Sequence, residues 1–145
     1  ILLHDPVTGA VGAVHAGWRG TVADIAGNAV RAMAENFGSR PENIRAAIGP
    51  NIGVCCFETR EDVPNAVRAV LGEAAEGFIV PAGEKFRVDL KGVNAALLRR
   101  AGVRNIEISC DCTACRPDLF WSHRRVGNDR GSLAAIIVCE GGDTK

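Results

Sequence analysis

Apolar positions along the chain alternate between short runs and longer 3.6-residue rhythms, the pattern of strands interleaved with helices. Ile1 to Asp5 and Val11 to Ala16 predict two strands joined by the turn Pro6-Val7-Thr8-Gly9. Val22, Ile25, Ala26, Ala29, Val30, Met33 and Phe37 keep helical spacing, with Thr21 the expected N-cap and Gly38 the expected stop. Ile44 to Ile48 predicts a short strand ending at Gly49-Pro50. Glu61 to Leu71 predicts a second helix, with Val63, Ala66, Val67, Val70 and Leu71 on one face and Pro64 tolerated in its first turn. Phe86 to Asp89 predicts a strand, and Leu90, Val93, Leu97 and Leu98 a third helix ended by Gly102. Val103 to Ser109 predicts another strand, followed by an irregular loop rich in cysteine. The continuous apolar run Leu133 to Val138 then predicts a buried strand.

The expected fold is α+β, a layered α/β domain of mixed sheets with packed helices, in which the direction of individual strands stays open. With 145 residues the chain has the size of one domain, and a 47% hydrophobic, 23% charged composition is that of a folded globular protein. Lys plus Arg (17) equals Asp plus Glu (17), so no excess charge points to nucleic acid or a membrane surface. No apolar run approaches the length of a membrane span. Six cysteines sit among strand and helix signals, three of them crowded at Cys110, Cys112 and Cys115 and two adjacent at Cys55 and Cys56. That distribution predicts reduced thiols and a cytoplasmic protein. The chain opens on Ile1 within an apolar run, so a single domain over residues 1–145, incomplete at its N-terminus, is expected.

Four clusters go beyond what packing requires. In His15-Ala16-Gly17-Trp18-Arg19-Gly20 a strand end turns into a helix, His15 suits a metal ligand or general base, and Arg19 suits a phosphate or carboxylate. The segment from Ile48 to Glu58 is a Gly-Pro loop that puts Cys56 and Glu58 at its far end; it lacks the Gly-Lys-Ser/Thr of a phosphate-binding loop. Cys110, Cys112 and Cys115 are close enough to bind zinc with His123 as a fourth ligand. Finally, Phe120-Trp121-Ser122-His123-Arg124-Arg125 sets guanidinium groups beside aromatic rings, a means of holding phosphate and stacking on a base. The first, second and fourth have structural alternatives, in order a core histidine, a turn with buried thiols and an amphipathic strand with solvated arginines, and a metal is the lesser reading of the third.

Taken in order, HAGWRGT (His15 to Thr21), IGPNIGVCCFE (Ile48 to Glu58), DLKGVNAALLRRAGV (Asp89 to Val103) and CTACRPDLFWSHRR (Cys112 to Arg125) resemble the laccase-domain (YfiH-type) family. That family of purine nucleoside phosphorylases is also called polyphenol oxidases, and the resemblance runs nearly end to end. It implies zinc-dependent phosphorolysis of adenosine, inosine and methylthioadenosine to a base and a sugar 1-phosphate, together with adenosine deamination. It also implies one zinc held by two histidines and a cysteine, of which His15 is the last; the other two would precede Ile1. Arg19, Arg124 and Arg125 are the residues it offers for phosphate. A blue-copper site needs a Cys–His set with an axial Met; Met33 falls on the apolar face of a helix, so zinc is expected and copper is not. Nucleoside and phosphate are the expected partners, with no nucleic acid and no membrane. A related fold in toxin deamidases uses a Cys–His pair, which leaves a cysteine hydrolase or amidase acting on a cell-wall precursor as the alternative, or an inactive fragment.

Overall fold

The computed structural model describes residues 1–139. Its strands are Leu2–His4 (β1), Val11–Ala13 (β2), Arg45–Ile48 (β3), Glu58–Thr59 (β4), Ile79–Ala82 (β5), Lys85–Val88 (β6) and Asn105–Ile108 (β7). Its helices are Trp18–Val22 (α1), Ile25–Phe37 (α2), Asp62–Leu71 (α3), Leu90–Arg100 (α4) and His123–Val126 (α5). β3 alternates, with Ala46 and Ile48 buried and Arg45 and Ala47 exposed, and it lies near the middle of a four-stranded sheet ordered β2-β1-β3-β7. β1 runs antiparallel to both β2 and β3, whereas β3 and β7 are parallel, so the sheet is mixed as expected. α4 packs on β3 and β7, α2 packs on α4 and β2, and together they cover one face. A second, antiparallel sheet ordered β4-β6-β5 packs against α3.

The core between these layers contains Leu3, Val30, Ile44, Val67, Val88, Val93, Leu97 and Leu98, all fully buried. Those from the helices are positions that the 3.6-residue rhythm marks. The β1–β2 turn forms where Pro6-Val7-Thr8-Gly9 predicts it, with Gly9 at φ 75° and its N–H bonded to the Asp5 carbonyl at 2.8 Å. The buried Asp5 carboxylate accepts from the Val7 N–H at 2.9 Å. Burial pushes this carboxyl up, but hydrogen bonds from Val7, Ser39 and Thr8 outweigh it and hold the group below its ordinary value. A depressed folded-state value means the stabilisation is complete above the unfolded value and is lost as pH falls through the folded one. The stability deficit of Asp5→Asn relative to the parent, measured by urea unfolding, is therefore expected to stay constant from pH 7 to about pH 5 and to shrink as the pH falls below about 4. A deficit independent of pH would contradict this.

Four expectations are corrected. The first long helix is two: α1 starts at Trp18 with Gly17 as its N-cap, and the chain breaks at Ala23–Asp24, where Asp24 is left-handed at φ 57°. Thr21 is not a cap; it lies buried inside α1 and exchanges hydrogen bonds with Asn94 of α4. Phe37, in the last turn of α2, is 58% exposed. Leu133 to Val138 forms no strand, and Leu133, Ile136 and Val138 are exposed. A continuous apolar run is buried only where both its faces meet partners; here only one side meets the protein, where Ile137 lies beside Leu2, His4 and Ala47 on the sheet's uncovered face. The small sheet was not anticipated beyond β6. Pro81 argues against a strand at Ile79–Ala82, yet β5 is an edge strand, where proline is tolerated.

Candidate functional site

His15 follows the end of β2. The Val14 N–H bonds to the Ile1 carbonyl at 2.9 Å, holding the chain against β1, and the next residue turns out to solvent. The imidazole lies so close to Gly17 that a Cβ there would stand 3.1 Å from Nε2. α1 begins immediately, and the Arg19 guanidinium stacks on the Trp18 ring at 4.3 Å from its centroid. The turn is tied down from beneath. Thr21 Oγ1 donates to the Ala16 carbonyl at 3.2 Å, and Asn94 Nδ2 donates to Thr21 Oγ1 at 3.0 Å and to the Leu90 carbonyl at 2.8 Å. His15 and Arg19 are thus exposed side chains on an ordered turn, with a buried polar anchor that the sequence reading missed. The Asn in the Asp89-to-Val103 segment was the available signal.

A catalytic zinc usually takes three protein ligands. Among the described residues His15 joins no group of three converging Cys, His, Asp or Glu side chains, so these residues alone do not make a three-ligand site around it.

Ligating side chains do converge elsewhere. β3 and β7 are parallel neighbours, and the loops leaving their C-terminal ends run together, with an Asn51–Cys112 bridge and the Thr113 N–H bonded to the Asn51 carbonyl at 3.0 Å. This brings the sulfurs of Cys55, Cys56, Cys112 and Cys115 within 4.8 Å of one another. Cys55 and Cys56 stand 3.6 and 3.5 Å from Cys115. Burial pushes the Cys112 thiol up, but the N–H groups of Gly53, Cys115 and Ala114 pull it down further, to about 6. Its neighbours move the other way. Cys56 is pushed up to about 12 by its contact with Cys115 and by burial, and Cys55 is raised chiefly by burial. A thiolate at Cys112 disfavours ionisation of the adjacent Cys55 and Cys56. The candidate set of Cys110, Cys112 and Cys115 with His123 does not form. Cys110 lies outside the group, and His123 Nδ1 faces the Gly127 carbonyl at 3.0 Å.

The arginines expected to hold phosphate touch these loops. Arg124 donates to the Glu58 carbonyl at 2.7 Å and lies 5.6 Å from the centroid of Phe57, while Arg125 donates to the Ala114 carbonyl at 3.3 Å. Both are exposed on α5, and no hydrogen bond joins them to His15 or Arg19 among the described residues. Two shallow concavities border the uncovered face of the sheet, around Arg45 and Asn105, and neither includes His15. Among the described residues no thiol is hydrogen-bonded to an imidazole.

Fold and site define a mixed-sheet α+β domain that presents a histidine and an arginine at a strand-to-helix turn. The chain belongs to the family described as multi-copper polyphenol oxidoreductase laccase, whose model matches residues 1–140. It is 37% identical over 139 residues to the purine nucleoside phosphorylase YlmD of Bacillus subtilis (strain 168), covering 94% of this chain and 50% of that protein. It is 38% identical over 134 residues to adenosine deaminase RL5 of an unknown prokaryotic organism, covering 90% of this chain and 51% of that protein. The crystal structure of the hypothetical protein YfiH of Bacillus licheniformis matches with a TM-score of 0.83 and 41% identity, over 87% of this chain and 49% of that one. The chain therefore spans about half the length of the curated relatives it matches. Among the described residues no helix is long and apolar enough to cross a membrane.

Proposed function

We propose that this chain is part of a cytoplasmic purine nucleoside phosphorylase that splits adenosine, inosine or methylthioadenosine with inorganic phosphate. In the reaction a phosphate oxygen bonds to the sugar C1′ as the bond from C1′ to the purine nitrogen breaks. The bonding electrons leave with the base, which takes up a proton, and the products are free base and sugar 1-phosphate. The observation that carries this reading is the similarity to a protein named purine nucleoside phosphorylase over 94% of the chain, a span that includes the exposed His15–Arg19 turn.

In this reading His15 belongs to the catalytic centre as one ligand of a zinc whose other ligands are not among residues 1–139. Zinc is the metal of this reading; Met33 is packed in the core against Gly12 and is no axial copper ligand. Arg19, Arg124 and Arg125 hold the phosphate. The stacking of Arg19 on Trp18 and the anchoring of Arg124 on Glu58 orient two planar guanidinium groups in advance. Adenosine deamination is the second activity of this reading, favoured by the relative named adenosine deaminase.

The test is the rate of base release from each nucleoside by the full-length protein as phosphate is varied. Saturation with phosphate and no release without it are expected; release independent of phosphate would overturn the proposal. Arg125→Ala should raise the KM for phosphate about tenfold or more with little change in Tm, since its carbonyl contact is exposed and a phosphate contact is bidentate. An unchanged KM with a lower Tm would assign Arg125 to holding the loop.

A further inference from the structure

We propose that Cys55, Cys56, Cys112 and Cys115 form a closed tetrathiolate site for one zinc ion, which clips the loop after β3 to the loop after β7. The site is distinct from the zinc proposed at His15 and does not depend on the phosphorylase reading.

Four sulfurs around a zinc at about 2.3 Å stand about 3.8 Å apart. The cluster is close to this spacing, with contacts of 3.5 and 3.6 Å at Cys115 and every sulfur within 4.8 Å of the others, so side-chain shifts of about 1 Å or less would close it around an ion. A disulfide would instead need two sulfurs at about 2.05 Å and leave the other two thiols unused. The backbone on both arms is arranged for ligation. The Cys115 and Arg116 N–H groups both bond to the Cys112 carbonyl at 3.1 Å, which curls Cys112-Thr113-Ala114-Cys115 so that its two sulfurs face one point. On the other arm the Cys56 and Phe57 N–H groups bond back to the Gly53 carbonyl at 3.0 and 2.9 Å, a turn that brings the adjacent Cys55 and Cys56 to the same side. The Gly53 N–H points at Cys112 Sγ from 3.2 Å. A Cβ on Gly53 would come within 3.2 Å of both Cys112 Cβ and Cys55 Sγ, so glycine is what lets the two loops meet.

The donor set decides the ligand and the role. Four sulfurs with no imidazole, carboxylate or open position select a thiophilic ion in a structural site, not a catalytic one. The loops at residues 49–57 and 109–117 contain little regular structure, and only Phe57 and Cys112 among their apolar residues are buried, so an ion can replace the core they lack. Binding carries away the thiol protons, and a zinc with four thiolates has a net charge of −2. Lys91, with Nζ 2.7 Å from the Ser109 and Asp111 carbonyls, and Arg125, on the Ala114 carbonyl, place compensating charge on the same loop.

The experiment uses the full-length protein, stripped of metal under reducing conditions and titrated with cobalt(II) as a spectroscopic probe, then with zinc. One equivalent of cobalt should give the intense visible bands of a tetrahedral site and the near-ultraviolet charge transfer of thiolate ligands, and zinc should bleach both. His15→Ala should keep these bands, so failure at His15 and failure here are separable. The double variant Cys112→Ser, Cys115→Ser should lose them, together with one equivalent of zinc. In the parent, zinc should protect Cys55, Cys56, Cys112 and Cys115 from a thiol reagent while Cys110 and Cys139 stay reactive. Absence of the thiolate band from the parent, unchanged reactivity of Cys55, Cys56, Cys112 and Cys115 with and without zinc, or a disulfide joining Cys115 to Cys55 or Cys56 as the isolated form would each overturn the proposal.

Discussion

Replacing His15 with alanine in the full-length protein is expected to lower phosphorolysis by more than about 100-fold while leaving the fold intact. The two halves of that expectation have separate causes. His15 is exposed and its imidazole rests against Gly17, so truncation opens no core cavity and, compared between the metal-free proteins, should change stability by no more than about 0.5 kcal/mol. The turn that carries it is held by Thr21 and Asn94, whose hydrogen bonds do not involve the imidazole. A loss of activity without a loss of Tm would therefore report on chemistry. Activity retained within a factor of two would make His15 a surface residue and remove it from the catalytic centre.

The second large effect is expected at Lys91, and on stability. Lys91 is 8% exposed, and its ammonium donates to the Ser109 and Asp111 carbonyls at 2.7 Å each. Lys91→Met keeps much of the apolar stem and removes both charge-assisted bonds, each of which contributes about 1.5–3 kcal/mol. A loss of about 3 kcal/mol in urea unfolding is expected. Because Ser109 and Asp111 open the loop that carries Cys112 and Cys115, hydrogen exchange should rise at residues 109–115 more than in α2. A variant as stable as the parent would mean that water satisfies both carbonyls equally well.

What the sequence reveals here is mostly local. Gly38 and Gly102 stop helices because both need positive φ, 67° and 96°, and such demands are written in the residue itself. Asp89 caps α4 by accepting from the Gly92 N–H at 3.1 Å, a local signal of the same kind. The His15-to-Thr21 segment was legible as a site because its unusual residues are contiguous. What escaped depends on contacts between distant positions. Thr21 looks like a cap until Asn94, 73 positions away, turns it inward. Asp24 is left-handed in the middle of an unbroken helical rhythm, where Arg31 and Arg100 approach its carboxylate at 3.4 and 3.6 Å. Closeness in sequence offers Cys110, Cys112 and Cys115 with His123 as a candidate thiol site. The parallel pairing of β3 with β7 instead brings in Cys55, 60 positions from Cys115. Leu133 to Val138 misled for a related reason: hydrophobicity predicts burial, but only a partner surface supplies it.

Phosphorolysis is tested most directly by the identity of the sugar product. The full-length protein should be incubated with inosine and inorganic phosphate while phosphorus NMR follows the phosphate and chromatography follows the base. The expected result is one ribose 1-phosphate for each hypoxanthine released, with inorganic phosphate consumed in the same amount. Hypoxanthine appearing with free ribose and undiminished phosphate, or no cleavage of any of the three nucleosides, would contradict the account.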